Sequence, residues 1–490
     1  MVPAIIWFRD DLRLADNPAL SAAAGQKILP IYVHDETSEG IRKLGGAAKW
    51  WLHASLASLD ADLRQRGGRL LLLRGRAEDC IRRLIEAVEP GAVYWNRRYD
   101  SAGRAVDQTI KRDLKRQGIA AESFNGTLLA EPWTIRNKSG EPFRVFTPFW
   151  RAVRAAETVP PPLPIPADLE FHPIPAAIEA EAVDLADLSL LPTKPDWAGG
   201  LRAAWAPGEA GAQARLAAFL GEGLPGYASH RDRPDRPSTS RLSPYLRFGN
   251  ISVRQIWQAA SERPRSSATD LVKFQAELGW REFSYHLLFH QPDLAERNLQ
   301  ARFDRMQWQE DPIGLHAWQR GLTGYPIVDA GMRQLWTTGW MHNRVRMVTA
   351  SFLIKHLMID WRLGEAWFWD TLVDADPASN AASWQWVAGS GADAAPYFRI
   401  FNPILQGEKF DLNGAYVREF VPELARLPPS LIHRPWEASP AQLSAAGIRL
   451  GETYPLPIID HAHARDRALQ AFRGLGETGE HLQGGLQEIT

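Results

Sequence analysis

Over the first 130 residues, short apolar runs alternate with longer amphipathic stretches, and this alternation limits what the chain can fold into more than any other feature. Residues 4–8, 28–33, 70–73 and 92–95 read as strands, and 46–66, 76–88 and 101–117 read as helices. Strands joined through helices of this length form parallel βαβ units, so the expected fold of this half is an open, doubly wound, Rossmann-like α/β sheet. Such a sheet takes ligands beyond the carboxyl ends of its strands. The first strand runs into Arg9-Asp10-Asp11-Leu12-Arg13 instead of a glycine-rich turn. The usual dinucleotide fingerprint is therefore absent, and no nicotinamide or flavin dinucleotide is expected here.

Nine of the 35 prolines fall in residues 160–195, including Pro160-Pro161-Pro162, which marks an extended connector. From about Trp197 the periodicity turns helical, at 209–221, 251–261, 268–290, 326–338, 343–360 and 364–373, and predicts a second, all-α domain. The boundaries so read are an α/β domain at 1–130, a proline-rich linker at 131–200, a helical domain at 201–473 and a short, frayed tail at 474–490.

With 56 Lys+Arg against 57 Asp+Glu the net charge is −1. That excludes a protein that binds nucleic acid by bulk attraction, so any DNA site is a local patch. Cys80 is the only cysteine, which excludes an intrachain disulfide and a cysteine-based metal or iron–sulfur site and suits a reducing, cytoplasmic setting. The charged start, with Arg9, Asp10, Asp11, Arg13 and Asp16, is unlike a secretory signal. No apolar run approaches the ~20 residues that cross a bilayer, so a soluble protein is expected.

Ten of the 20 tryptophans lie between Trp280 and Trp386. Single tryptophans usually fill cores, but this density suggests an aromatic-lined site as well. Ser238-Thr239-Ser240-Arg241-Leu242-Ser243 offers four hydroxyls and a guanidinium, either as a helix cap or as a phosphate cradle. Glu277, Trp280 and Arg281, at i, i+3 and i+4, place a carboxylate, an indole and a guanidinium on one helix face. They are either an exposed pair covering the ring or a set that stacks on and hydrogen-bonds a base. Asn343 and Met347 repeat that pattern on another helix, where Asn is a poor helix former and so hints at recognition; His342 reads as an ordinary polar contact. Asp374-Ala375-Asp376 with Asn380, Trp384 and Trp386 is the densest stretch. Two carboxylates at i, i+2 could hold Mg²⁺, but the aromatic neighbours favour hydrogen bonds to a heterocycle, and no metal site is assigned.

In this order the pieces resemble the photolyase/cryptochrome family over about residues 4–470. The resemblance rests on Trp7-Phe8-Arg9, Asp11-Leu12-Arg13-Leu14 and Asp16-Asn17, on Val145-Phe146-Thr147-Pro148-Phe149, and on Thr239-Ser240-Arg241-Leu242-Ser243. It continues through Trp280-Arg281-Glu282-Phe283, Gly324-Tyr325-Pro326-Ile327-Val328-Asp329 and Gly339-Trp340-Met341-His342-Asn343-Arg344. It implies an N-terminal antenna domain and a helical domain holding a U-shaped, reduced FAD. Tyr227, Thr239, Ser240, Arg241, Leu242 and Ser243 would hold its phosphates and ribityl chain. Phe274, Arg281, Asn343, Asp374, Ala375, Asp376 and Asn380 would line its rings. Phe274 stands where the best-known bacterial class has Trp.

The resemblance further implies light-driven electron transfer from reduced FAD to a flipped-out cyclobutane pyrimidine dimer in DNA. Asn380 matches the position facing flavin N5, where plant cryptochromes tend to carry Asp; a neutral amide there favours repair over blue-light sensing without repair. Asn343 and Met347 stand where enzymes for the pyrimidine–pyrimidone product carry histidines, so the cyclobutane dimer is the expected lesion. Trp280 and Trp386 would stack on it, Met347 would pack against it, and Glu277 and Asn343 would hydrogen-bond the pyrimidines. A Glu277 buried beside those rings is expected to hold a proton. Arg231, Arg344 and Gln406 would contact the DNA backbone. Trp384, Trp361 and Trp308 match the chain that photoreduces oxidised flavin. Ala102 and Gly103 replace the Asn and Glu that hold a folate antenna in that bacterial class. Gly45-Gly46-Ala47-Ala48-Lys49-Trp50-Trp51-Leu52-His53 instead looks like class III, so methenyltetrahydrofolate is favoured over a deazaflavin. A monomer is expected.

Overall fold

The computed structural model describes residues 2–156, 159–263, 268–393 and 399–476. Its strands are β1 (Ala4–Phe8), β2 (Lys27–His34), β3 (Leu71–Arg74), β4 (Ala92–Asn96), β5 (Ala120–Phe124) and β6 (Glu170–Phe171). They pair in parallel in the order β3-β2-β1-β4-β5, with β6 on β2. The helices Gly46–Arg64, Ala77–Val88 and Ser101–Arg116 supply crossovers. The apolar faces of the last two bury Cys80, Ile81, Leu84, Val106, Ile110 and Leu114 against Ile5, Trp7, Ile31 and Val93, the arrangement of a sheet covered by helices.

Two strands escape the sequence reading. β5 spells Ala-Ala-Glu-Ser-Phe, an edge strand with a half-buried pattern and little apolar signal. β6 lies in the proline-rich segment, which also holds the Ala176–Glu179 helix; Ile178 from that helix joins the sheet's core. The connector is thus partly built into the domain it leaves.

Strand order reverses between β1 and β4, and a buried polar cluster occupies the carboxyl ends of both. Arg9 donates to Asp107 Oδ1 at 2.7 Å and to Asn96 O at 2.7 Å. Asn96 Nδ2 donates to Asp11 Oδ2 at 2.6 Å and Asn17 Oδ1 at 2.8 Å. The N-terminal motif residues therefore satisfy many of one another's polar groups, although Arg9 Nε, Arg13 Nε and Asn96 Oδ1 are buried without a partner.

The compact units do not follow the linker. One comprises Met1–Pro225, Ser240–Pro292 and Val373–Asp376; the other comprises Gly226–Thr239, Asp293–Leu372 and Pro377–Thr490. The Ser243–Arg247 and Ala268–His290 helices group with the sheet in the first of these units. In the second unit the run read as 343–360 is broken. Asn343–Ser351 gives way to a π-helical turn at Phe352–His356, Met358 adopts a left-handed φ of 57°, and Asp360 caps a new helix at Trp361–Thr371. No helix among the described residues is long and apolar enough to cross a membrane. Of the expected tail, residues 477–490 lie outside the described residues.

Candidate functional site

In the first unit the strap Val373–Asp376 is fastened by side chains that sequence order scatters. Ser243 Oγ donates to Asp374 Oδ2 at 2.6 Å, Arg247 Nε donates to Ala375 O at 2.8 Å, and Tyr285 Oη donates to Asp376 Oδ2 at 2.6 Å. Arg247 also reaches Asp10 Oδ1 at 2.8 Å. Each carboxylate of the Asp-Ala-Asp motif thus has its own hydroxyl donor. Arg241 adopts a left-handed φ of 52° and lays its guanidinium over Trp205 at 4.4 Å. A non-glycine residue held there costs about 1 kcal/mol or more, a strain typical of ligand-holding turns. The helix that follows has no side-chain cap, so the hydroxyl cluster is not the capping device the sequence also allowed. Leu242 is buried, and its amide lies 3.4 Å from Ser240 Oγ. Phe274 is buried with its ring 4.7 Å from Phe219.

The Ala268–His290 helix is continuous, so Glu277, Trp280 and Arg281 do share a face. Arg281 Nη1 donates to Thr127 O at 2.9 Å, and the guanidinium lies 4.9 Å from the Tyr285 ring, while Nη2 is buried with no hydrogen-bond partner. Glu277 is only half-buried, so the burial on which its expected protonation rests is not found. The buried acid is its neighbour Glu282, which accepts from Leu129 N at 2.8 Å and Ala130 N at 3.3 Å. Burial pushes its pKa up to about 7, against the opposing pull of Arg281 and those amides. From about pH 4.5 to 7 the native state therefore keeps a proton that the unfolded chain has released, and stability falls as pH rises through that window. Glu282→Gln is expected to remove roughly 2–3 kcal/mol of this pH dependence, read from urea unfolding at pH 5 and pH 8.

In the second unit Asn380 is buried, and its Nδ2 donates to Glu365 Oε1 at 2.8 Å and Glu365 O at 3.1 Å. Both amide hydrogens are committed, which leaves Oδ1 as the acceptor the residue can offer. Trp384 and Trp386, two positions apart on the Ser379–Ala388 helix, point in opposite directions. Trp384 is buried against Trp318 (6.2 Å) and Phe368 (5.0 Å); Trp386 is half-buried beneath Arg399 at 5.7 Å. Between them Gln385 ties the helix to Leu294 O and Arg297 O at 2.7 and 2.8 Å. A Cβ on Gly364 would sit 2.1 Å from Trp384 Cη2, so the ring packs directly on the Trp361–Thr371 helix, one turn from Trp361. Trp361 is fully buried with Nε1 donating to Asn298 at 3.0 Å, and Trp308 packs against the cluster around Phe303 and Met358. Trp384 makes its ring contacts with Trp318 and Phe368, and reaches the helix that Trp361 opens at Gly364.

Asn343 is the exposed first residue of its helix, where interior helix propensity does not apply, so that argument for a recognition role fails. His342 is the N-cap, its Nδ1 accepting from Arg344 N at 3.2 Å; burial pushes its pKa down to about 4. Met347, one turn on from Asn343, is half-buried. Arg344 pairs with Asp232 at 3.1 Å and Arg231 with the same acid at 3.8 Å; Arg231 also lies 5.7 Å from the ring of Tyr227, which is buried. Thr239 is half-buried in the same unit. Gln406 is 1% exposed with Oε1 lacking a partner, so its side chain is withdrawn from the surface where a phosphate contact was expected.

Family comparison covers the same two halves. Residues 4–167 match the DNA photolyase model and residues 274–474 the FAD binding domain of DNA photolyase. A deoxyribodipyrimidine photo-lyase of Agrobacterium fabrum is 53% identical over 479 residues, 97% of this chain and 98% of that protein. The chain belongs to the photolyase/cryptochrome family. Cryptochrome-2 of Arabidopsis thaliana is 40% identical over 487 residues, 96% of this chain and 78% of the relative. The crystal structure of a bacterial class III photolyase from Agrobacterium tumefaciens superposes with a TM-score of 0.93 at 52% identity, covering 98% of each chain.

The match to a photolyase FAD-binding domain makes FAD the cofactor. Taken by itself, each unit has residues that fit it: in the first, a buried, unsatisfied Nη2 on Arg281 and a strained turn at Arg241; in the second, an amide oxygen on offer at Asn380. The supporting residues Arg247, Tyr285 and Glu365 were missed by sequence reasoning. Two had a signal: Tyr285 is four residues beyond Arg281, and Glu365 four beyond Trp361, so each lies one turn along a face already singled out.

Proposed function

We propose that the protein repairs UV-induced cyclobutane pyrimidine dimers in DNA under blue light, as a deoxyribodipyrimidine photo-lyase. The observation that carries this reading is Asn380, whose neutral amide is locked by Glu365 with its oxygen left as acceptor. That is the partner a reduced flavin needs, since its ring N–H is a donor. When bound, reduced FAD supplies the light-driven electron that opens the dimer. Arg241, Ser243, Asp374, Asp376 and Arg281 hold the cofactor together with Tyr227, Thr239, Ser240, Leu242, Phe274, Asn343 and Ala375. Trp280 and Trp386 stack on a flipped-out dimer, as photolyases flip theirs as a class, and Met347 packs beside it. Glu277, half-buried and able to reach solvent, hydrogen-bonds a pyrimidine edge, as does Asn343.

Arg231 and Arg344 contact the DNA backbone. Sharing Asp232 leaves the pair a net single positive charge, so few counterions are released and the salt dependence of binding is modest. For the antenna, position 103 leaves little room for a carboxylate, because even a Cβ on Gly103 would lie 2.9 Å from Arg98 and Asp100 and would require those side chains to shift. Lys49 pairs with Glu36 at 3.0 Å, and His53 on the same helix has a buried Nδ1 without a partner. These groups support methenyltetrahydrofolate held along residues 45–53 over a deazaflavin. Mass spectrometry of the acid-released chromophore decides between them. Trp384, Trp361 and Trp308 serve photoreduction, and the protein acts as a monomer in a reducing, cytoplasmic setting, in keeping with its lone buried Cys80.

The test is loss of cyclobutane dimers from an irradiated oligonucleotide on addition of reduced protein. Loss in blue light and none in the dark is expected. No loss with FAD bound and reduced overturns repair and leaves the blue-light sensor, the reading that the likeness to the plant cryptochrome favours.

A further inference from the structure

We propose that Phe146, backed by Trp150, is a positioning residue that sets the plane of Trp280 and leaves one face of that indole for the lesion; this rests on the reading of Trp280 as the ring that stacks on the dimer. The three rings form a column. Phe146 lies face-on over Trp280 with centroids 3.8 Å apart and planes 9° apart, and Trp150 continues the stack, offset at 6.4 Å and 12°. Trp257 closes the far end edge-on at 6.0 Å and 75°. Phe283 meets the edge of Trp280 at 6.0 Å and 72°. Among the described residues Phe146 and Phe283 are the rings that touch Trp280, so one face is taken by Phe146 while the side chain as a whole remains half-buried.

The column is seated deliberately close to the helix that bears Trp280. A Cβ on Gly279 would lie 2.7 Å from Trp150 Cδ2 and Cε3, so only glycine before Trp280 admits the Trp150 ring against the backbone. Phe146 itself is buried although it opens its helix, and it derives from the Val145-Phe146-Thr147-Pro148-Phe149 motif. A face-to-face approach at 3.8 Å is not the arrangement that aromatic pairs choose for their own stability. It suits a ring whose orientation must be fixed before a flat ligand arrives, because binding then spends no rotamer freedom on the indole.

The test compares affinities for a dimer-containing and an undamaged oligonucleotide, with the FAD absorbance and flavin photoreduction of each variant as controls. Phe146→Leu keeps apolar volume and loses the flat face; Phe146→Tyr keeps the face. Phe146→Leu is expected to weaken dimer binding roughly three- to tenfold with undamaged binding unchanged, and Phe146→Tyr to restore it. In Trp280→Ala the further change Phe146→Leu should cost nothing more, since a positioning residue acts only through the ring it positions. Equal affinities in wild type and Phe146→Leu, equal losses on both oligonucleotides, or losses that add in the double variant overturn the proposal. If Trp280→Ala alone leaves dimer binding intact, the stacking role of Trp280 fails, and the proposal with it.

Discussion

Asn380→Asp is expected to lower light-driven repair at pH 8 by about 100-fold while the protein still binds FAD, and to regain part of that loss as the pH is lowered. The amide now donates twice to Glu365, at 2.8 and 3.1 Å. A carboxyl in its place faces the Glu365 carboxylate across a hydrogen-bond distance in a buried setting. Two like charges about 4 Å apart repel by roughly 4 kcal/mol even at an effective dielectric near 20. The pair therefore shares one proton at moderate pH and releases it as the pH rises, after which two negative charges stand where a neutral amide was. Repair depends on a reduced, anionic cofactor, so the loss is greatest where both acids are ionised. Dimer loss per photon with chemically reduced protein, measured from pH 6 to 8.5, checks this. Repair equal to wild type at pH 8 removes the argument from Asn380.

Trp384→Phe should act on the other half of the chemistry. Photoreduction of oxidised flavin by an external thiol is expected to slow by about 100-fold or more, since a phenyl ring is far harder to oxidise than an indole, and that cost enters the rate exponentially. Dimer repair by protein reduced chemically beforehand should stay within about twofold, because that step draws no electron from the protein. The substitution is a fair one: Trp384 is buried against Trp318, Phe368 and the bare backbone at Gly364. A smaller ring costs packing of the order of 1–3 kcal/mol without introducing a polar group. Absorbance under steady illumination reads the first quantity and dimer loss reads the second. An unchanged photoreduction rate would show that Trp384 is not the first donor.

Periodicity located the long helices well where nothing interrupted them: 268–290 and 326–338 coincide with Ala268–His290 and Pro326–Thr338. It failed where the backbone departs from α geometry for reasons no local pattern records. The run 343–360 has helical apolar spacing throughout, but the π turn at Phe352–His356 and the left-handed Met358 split it. β5 was invisible because an edge strand buries too little to need apolar alternation. The site was legible wherever chemistry is written in contiguous residues, as at Ser240–Ser243 and Asp374–Asp376. Its supports were less legible: Tyr285 and Glu365 lay one turn along faces already singled out, but nothing near Asp376 pairs it with Tyr285, 91 residues away, and nothing near Asp10 announces Arg247, 237 residues away. The asparagine argument failed for a similar reason, since helix propensity judged Asn343 as an interior residue and could not see that the helix begins on it.

The strap Val373–Asp376 belongs to the unit built around the sheet, although the chain on both sides of it belongs to the other. This bears on how the protein is made. A ribosome that has delivered the sheet and the Ala268–His290 helix has not yet delivered the carboxylates that Ser243 and Tyr285 bind, nor the carbonyl that Arg247 binds. Those side chains must wait, solvated, until synthesis passes Asp376. The N-terminal unit therefore cannot mature until Asp293–Leu372 of the other unit has also been made, a departure from the usual domain-by-domain order; a nascent chain halted before Val373 leaves those side chains without their partners, whereas one halted after Asp376 has the strap and lacks only Pro377–Thr490 of the second unit.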